Sequence, residues 1–381
     1  MSDSVLLPSA ASAASNSQPA PGRISLREKF FGCIVGCHAG SAMGAPCEGW
    51  TYERIEKEHG TIDRLLPYQH YNNGWNREPG TTEDGVERQK LIITAIIEKK
   101  DRVTAEDVRK IWVRDIQPEA AGMISEAFET RLLAMAKSGI PACDLGRYCD
   151  YAGLNSFARS CHPIGLINAG DVASAAADVF EVGQLYQTTN SRGLQWASIT
   201  AMAIAAATRP GATVESVLEA LRRGNPRFAG QDSQRGVARE IDRGLKLIEK
   251  CKDFREARKA FDEVYSGKGT PYAFSSANEV VTKAISIFKM AGGNPRDAMI
   301  AAVNFGRDTD CLSAIAAGIS GALHGASAIP EPWIKQVDYA TTKMPVTNSR
   351  RTLREHADSL YEAYRTRLGG MRRYADEMEP S

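Results

Sequence analysis

Four glycines recur at every fourth position near the beginning of the sequence: Gly32, Gly36, Gly40 and Gly44. Residues four positions apart share one face of an α-helix. Glycine weakens a helix by roughly 1 kcal/mol relative to alanine, so a stripe of four needs a compensating reason, and close backbone packing supplies one. A second stripe of small residues occupies a late segment and comprises Ala314, Ala317, Gly318, Gly321, Ala322 and Gly325. We predict that these two helices pack tightly in the core, against each other, which would bring residues 41–48 and 308–311 into one neighbourhood.

The rest of the sequence favours helices. Apolar residues recur at helical spacing in many segments, and start signals such as Thr104-x-x-Asp107 and stop signals such as Gly292–Pro295 separate them. No run alternates cleanly as a strand would, and no hairpin signature occurs. The prediction is an all-α, compact, single-domain orthogonal helical bundle over residues 24–370. Residues 1–23, rich in Ser, Ala and Pro, are predicted to be a disordered tail, and residues 371–381 a C-terminal tail.

Composition excludes several classes of protein. The 47 basic and 46 acidic residues give a net charge of +1, which argues against nucleic-acid binding through bulk electrostatics. No apolar run approaches the ~20 residues that a membrane span needs, and residues 1–23 do not have the pattern of a signal peptide. The eight cysteines form no CxxC pair and no zinc-finger spacing, so reduced thiols in the cytoplasm are predicted. The sequence leaves the oligomeric state open.

Two short acidic clusters lie far apart: Thr82-Glu83-Asp84 and Asp308-Thr309-Asp310. Both offer carboxylate and hydroxyl oxygens without thiolate or imidazole, and this donor set suits hard divalent cations such as Mg²⁺ or Mn²⁺. Each cluster precedes a helical stretch. One alternative is therefore that both clusters are helix N-caps, because Thr and Asp cap well. If the fold brings the clusters together, they could share two metal ions.

The order of these motifs resembles that of the ADP-ribosylglycohydrolase family. That family has an early glycine helix followed by a glutamate, then Thr-Asp-Asp, and later Gly-Asp-x-Asp-Thr before a Gly/Ala helix and Pro-x-x-Trp. The corresponding residues here are Gly40, Gly44, Glu48, Thr82, Glu83, Asp84, Gly306, Arg307, Asp308, Asp310, Gly318, Gly321, Pro330 and Trp333.

The resemblance implies an all-α hydrolase with a binuclear Mg²⁺ or Mn²⁺ site at helix N-termini. It further implies that the two acidic clusters supply the metal ligands Thr82, Glu83, Asp84, Asp308 and Asp310. Glu48 falls where some relatives have a glutamate over the scissile bond, so Glu48 and Asp84 are the candidate bases, and the sequence does not choose between them. The candidate substrate-binding residues are Glu48, Asn155, His162, Gly306 and Arg307. For Arg307 a phosphate partner and an ordinary salt bridge stay equal alternatives.

Some positions depart from the family pattern. Glu83 replaces an aspartate, and Cys311 replaces a threonine, which removes a hard oxygen ligand; a carbonyl or water substitutes for it, or the second ion binds weakly. Of the middle family segment only Asn155 and Pro163 remain, with Arg159 among the differing residues. The prediction is a metal-dependent glycohydrolase that cleaves a ribosyl N- or O-glycosidic bond in a small ribosyl compound or ADP-ribosyl adduct. The alternatives are a hydrolase of small N-glycosides or nucleosides, and a catalytically silent binding member.

Overall fold

The computed structural model of the chain describes most of the sequence, and the statements below concern that part. The described residues are 24–69, 76–116, 127–149, 152–189, 191–224, 232–265, 273–343 and 349–379. The predicted disordered tail, residues 1–23, lies outside the described residues. The division into tails and one domain stays a prediction.

Helices make up nearly all of the regular structure, so the all-α prediction is confirmed. Two strands of two residues each, β1 (Tyr68–Gln69) and β2 (Asn76–Arg77), are an addition that the sequence did not indicate. Seventeen α-helices lie in the described residues: α1 Leu26–Gly44, α2 Tyr52–His59, α3 Asp84–Lys99, α4 Ala105–Asp115, α5 Ala127–Lys137, α6 Ala142–Leu145, α7 His162–Ile167, α8 Val172–Gly183, α9 Arg192–Ala207, α10 Val214–Arg222, α11 Asp232–Ile248, α12 Phe254–Tyr265, α13 Ala277–Met290, α14 Pro295–Val303, α15 Thr309–His324, α16 Glu331–Thr342 and α17 Leu353–Met378.

The centre of the molecule is the pair α1 and α15, whose backbones touch along the glycine stripe. A Cβ atom built on Gly36 would lie 2.2 Å from the carbonyl oxygen of Ala317, and one on Gly44 would lie 2.4 Å from that of Thr309. Real Cβ atoms do not approach other atoms so closely, so both positions require glycine. The predicted packing of the two small-residue stripes is confirmed. The C-terminal end of α1 therefore lies beside the first turn of α15, which carries the late acidic cluster.

Helix starts follow the sequence signals. Thr104 and Asp107 form the predicted capping box at the start of α4, in which each side chain accepts a hydrogen bond from the other residue's backbone N–H. Asn294 caps α14 through its side-chain oxygen, which accepts from the backbone N–H groups of Arg296 and Asp297. The Thr104–Asp107 box fixes where α4 starts without tertiary help, which is why the local sequence sufficed to predict it, whereas Asn294 was predicted only as part of a stop signal.

One segment, Leu26–Cys47, is long and apolar enough by length and composition to cross a membrane. The sequence prediction considered unbroken apolar runs, whereas the apolar residues of α1, such as Phe30, Ile34 and Val35, are interrupted by glycines and still give the segment this mean hydropathy. The most apolar 18-residue window of this segment is 94% buried inside the protein, as the core helix of a helical bundle would be.

Candidate metal and catalytic centre

The two acidic clusters meet where α3 and α15 begin. Glu83 and Asp308 occupy the N-cap positions of these helices, but neither side chain makes a capping hydrogen bond. The guanidinium group of Arg159 reaches both clusters: Nη2 donates to Asp84 Oδ2 at 2.6 Å, and Nη1 lies 3.6 Å from Asp310 Oδ2. All the carboxylates of the two clusters are buried. Helix capping therefore does not account for the acidic side chains.

Two carboxylate oxygens of the late cluster have no hydrogen-bond partner in the described part of the chain. The ligating atoms of Asp308, Asp310 and Cys311 all lie within 4.8 Å of one another. Asp308 Oδ2 accepts a 2.8 Å hydrogen bond from Asn155 Nδ2, but Oδ1 of Asp308 and Oδ1 of Asp310 are buried and have no hydrogen-bond partner in the described part of the chain. Burial and the charge of Asp308 raise the pKa of Asp310 well above its ordinary value. An orphaned pair of buried carboxylate oxygens is the arrangement that a bound cation would stabilise.

In the early cluster, Asp84 is already compensated by protein groups. Its Oδ2 accepts from Arg88 Nη2 at 2.7 Å and from Arg159 Nη2 at 2.6 Å, and its Oδ1 accepts from the backbone N–H of Gly85 at 2.8 Å. Burial alone would raise the pKa of Asp84, but the two guanidinium groups outweigh it and lower the pKa. Asp84 is thus an ionised carboxylate with both oxygens occupied.

Glu83 and Thr82 are likewise engaged by neighbours. Glu83 Oε1 accepts a hydrogen bond from the Tyr68 hydroxyl and lies 3.8 Å from Nη1 of Arg77. The two-stranded sheet supplies this pair, because its register sets Tyr68 opposite Arg77. Burial raises the pKa of Glu83 to about 7 although Arg77 and Tyr68 oppose the shift. Thr82 Oγ1 donates to Glu87 Oε1 at 3.3 Å.

Glu48 lies beside both clusters on the segment that follows α1. The side chain is half-buried. Burial, followed by the negative charges of Asp310, Asp308 and Glu83, raises its pKa well above the ordinary glutamate value. Glu48 therefore shares the electrostatic environment of the acidic clusters and, at neutral pH, favours the protonated form much more than an exposed glutamate does.

The remaining predicted substrate residues have different surroundings. Arg307 forms a salt bridge with Glu279, whose carboxylate accepts hydrogen bonds from Nε at 2.6 Å and from Nη2 at 3.1 Å. These contacts agree with the second of the two alternatives for Arg307, an ordinary salt bridge. Gly306 has a positive φ, and a Cβ there would lie 2.6 Å from the backbone nitrogen of Tyr52. The backbone conformation and the close packing therefore explain why this position is a glycine. His162 is fully buried in the core, with Nε2 3.2 Å from the carbonyl oxygen of Ala314. This position gives His162 no opening towards a substrate.

Sequence reasoning missed the basic partners of the acidic clusters. Arg77, Arg88 and Arg159 surround the two carboxylates of the early cluster, and only Arg159 had been noted, as a departure from the family's middle segment. That departure was the available signal, because Arg159 differs from the family's middle segment, although it lies 75 positions after Asp84 in the sequence. Arg88 offered a second signal, since it lies one helical turn after Asp84.

Comparisons with known proteins agree on one family. A family model described as ADP-ribosylglycohydrolase matches residues 23–369. An uncharacterized protein of Escherichia coli, YegU, is 27% identical over 322 residues, which cover 81% of this chain and 91% of YegU. An uncharacterized protein of Archaeoglobus fulgidus is 24% identical over 341 residues, covering 89% of this chain and 98% of the relative. A solved structure, an ADP-ribosylglycohydrolase-related protein complex, superposes with a TM-score of 0.63 at 18% identity and covers 90% of this chain and 98% of its own, which supports the fold alone.

Proposed function

Since the chain belongs to the ADP-ribosylglycohydrolase family, we propose that it is a metal-dependent glycohydrolase, which breaks the bond between the anomeric carbon of a ribose and a nitrogen or oxygen leaving group. The observation that carries the proposal is the pair of buried, partnerless oxygens, Oδ1 of Asp308 and Oδ1 of Asp310. These two anionic donors fit a hard divalent cation, Mg²⁺ or Mn²⁺. A bound cation would supply Lewis-acid polarisation of the ribose hydroxyls and of a water molecule.

The chain's own residues would perform the proton transfer. Of the two candidate bases, Asp84 has both oxygens occupied by Arg88, Arg159 and the backbone of Gly85. Glu48 is half-buried beside the clusters, and its raised pKa makes its ionised carboxylate a stronger proton acceptor than that of an exposed glutamate. The hydrogen bonds therefore favour Glu48 as the base that removes a proton from the attacking water, and they favour Asp84 as the fixed counter-charge of Arg159.

Asn155 would hold Asp308 in position. Its 2.8 Å hydrogen bond to Oδ2 fixes the orientation of the carboxylate and leaves Oδ1, which has no hydrogen-bond partner among the described residues, available to a cation. Because Asn155 is buried and engaged in this contact, a positioning role fits it better than direct contact with the substrate.

The proposed substrate is a small ribosyl compound that carries an anionic group, and we expect ADP-ribosyl groups on protein to be poorer substrates. The middle segment of the family pattern, which supplies substrate-facing residues in relatives, is largely replaced here. Arg307, the residue considered for binding a substrate phosphate, is held by Glu279. We propose a cytoplasmic location, which the eight free cysteines suit.

The test is a hydrolysis panel with purified protein in Mg²⁺, in Mn²⁺ and in a chelator. The panel contains ADP-ribosylated arginine and serine peptides, free ADP-ribosyl adducts, nucleosides and nucleoside monophosphates. We expect release of ribose-containing product from the small compounds only when metal is present, and loss of that release in Glu48→Gln and Asp310→Asn. Efficient demodification of the peptides would reject the substrate preference. Absence of hydrolysis across the panel, together with absence of metal binding, would reject the enzyme proposal in favour of a silent member.

A further inference from the structure

Arg159 occupies the space between the two acidic clusters. Its guanidinium group donates to Asp84 Oδ2 at 2.6 Å from one terminal nitrogen. The other terminal nitrogen donates to Cys311 Sγ at 3.1 Å and lies 3.6 Å from Asp310 Oδ2. The side chain is only 13% exposed. One delocalised positive charge thus contacts a carboxylate of each cluster.

The fold holds this side chain in place. Gly85, in the first turn of α3, leaves room for it: a Cβ on Gly85 would lie 2.4 Å from Cδ of Arg159. Gln89 Nε2 donates to the Arg159 backbone carbonyl at 3.4 Å, and Ser160 Oγ donates to the carbonyl oxygen of Gly85 at 3.0 Å. Two hydrogen bonds therefore fasten the segment that carries Arg159 to α3, so its position does not depend on the ion pairs alone.

A guanidinium group and a metal ion cannot share this position. A divalent ion that bridged Asp84 and Asp310 would have to stand about 2.1 Å from an oxygen of each. The nitrogens of Arg159 already approach those oxygens to 2.6 and 3.6 Å. The late cluster differs, because Oδ1 of Asp308 and Oδ1 of Asp310 have no hydrogen-bond partner among the described residues. The cation position between Asp84 and Asp310 is therefore filled by Arg159, and the position at the Oδ1 atoms of Asp308 and Asp310 is open to a metal ion.

We propose that Arg159 is a built-in cation that replaces a metal ion between the clusters, so that the site binds a single divalent ion at Asp308 and Asp310. This inference deepens the proposed function and rests on it for the identity of the open position. It assigns Arg159 the task of placing one permanent positive charge between Asp84 and Asp310. The site would then keep the positive charge of Arg159 when divalent ions are scarce.

The experiment counts bound Mn²⁺ per chain by electron paramagnetic resonance of the free ion during titration, which requires no activity. Wild type is compared with Arg159→Met and Arg159→Gln; the glutamine variant retains a polar side chain in case the methionine variant folds poorly. Arg88→Met is the matched control, because Arg88 also pairs with Asp84 at 2.7 Å but lies on α3 itself and makes no described contact with the late cluster. Thermal melting with and without Mn²⁺ verifies that each variant is folded.

We expect one ion in wild type and in Arg88→Met, and two ions in the Arg159 variants. The inference concerns the difference: an Arg159 variant that binds one ion more than a wild type that binds one or none supports it. Equal numbers in wild type and in the folded Arg159 variants overturn it. Wild type that binds two ions also overturns it, while leaving the metal-dependent function intact. Wild type that binds no ion, alongside a variant that binds one, supports the role of Arg159 and rejects the proposed metal dependence of the native protein.

Discussion

The amide of Asn155 donates a 2.8 Å hydrogen bond to Oδ2 of Asp308, and both side chains are buried. The two residues are 153 positions apart in the sequence. The bond uses one oxygen of the carboxylate and leaves the other buried and without a partner in the described part of the molecule. Asn155 thus determines which oxygen of Asp308 is available to a cation.

Replacing Asn155 by alanine should weaken Mn²⁺ binding by about 10–100-fold, the usual cost of removing a group that orients a metal ligand. The free carboxylate would rotate and lose its fixed direction. Isothermal titration with Mn²⁺ measures the change. Asn278→Ala is the control, since Asn278 makes the same kind of 2.8 Å bond, to Glu240, elsewhere. Unchanged affinity in Asn155→Ala would mean that Asp308 does not bind the ion through Oδ1.

The two clusters should respond differently to neutralisation of one carboxylate. Asp310→Asn removes a buried charge crowded by Asp308, so the metal-free variant should be at least as stable as wild type, and a chelator should lower the melting temperature of wild type only. Asp84→Asn instead leaves Arg88 and Arg159 without their counter-charge and should cost about 3–5 kcal/mol of unfolding free energy. Chemical denaturation with and without chelator measures the unfolding free energies of wild type and of both variants. Equal stability of the two variants would contradict the charge pairing described for the early cluster.

The helix contact at the core makes a sharp packing prediction. Gly36→Ala should destabilise the protein by more than about 3 kcal/mol, because the new methyl group would meet the backbone of Ala317 rather than a side chain that can move. Gly236→Ala is the control: this glycine lies in α11 with open space around it among the described residues, so alanine should stabilise by up to about 1 kcal/mol. Urea unfolding measures both. A Gly36→Ala variant as stable as wild type would show that α1 and α15 are farther apart than described.

The sequence predicted the helix contact in the core better than the partners of the acidic residues in the candidate site. The glycine stripe of α1 and the small residues of α15 encode their contact locally, so the pairing of the helices and the meeting of residues 41–48 with 308–311 followed from pattern alone. The partners of the acidic residues did not follow. Arg159 is 75 positions from Asp84, and Arg77 belongs to a strand of two residues, which is too short to show alternation. Salt bridges between distant segments leave no periodic trace in a sequence.

Buried histidines should make the protein sensitive to acid. Burial, and then the charge of Lys90, lowers the pKa of His38 to about 3, and burial together with His38 lowers that of His356 well below its ordinary value. Below the unfolded pKa of about 6.5 the unfolded chain binds protons that the folded chain does not, so the free energy of unfolding should fall by about 1.4 kcal/mol per pH unit for each such histidine.

His356→Leu should reduce this dependence on pH and raise stability at neutral pH by about 1–3 kcal/mol, because both ring nitrogens of His356 are buried and lack hydrogen-bond partners among the described residues. Urea unfolding between pH 5 and pH 7.5, conditions chosen to lie on both sides of about 6.5, measures the slope. His324→Gln is the control, because it removes a histidine at an exposed position. The same slope in His356→Leu and wild type would mean that His356 is protonated in the folded protein.

The side chain at position 311 should decide which cation the late cluster prefers. Cys311 is buried beside Asp310, and burial raises the pKa of its thiol well above the usual range despite the opposing charge of Arg159. A neutral thiol is a poor ligand for Mg²⁺, so Cys311→Thr, which provides a hard oxygen, should tighten Mg²⁺ binding by about tenfold and weaken Cd²⁺ binding. Cys311→Val is the matched control, since valine has the shape of threonine without the hydroxyl. Calorimetric titration of the three proteins with both ions gives the answer. If the threonine and valine variants bind Mg²⁺ equally well, the side chain at 311 is not a ligand, and the cation must be held by Asp308 and Asp310 without it.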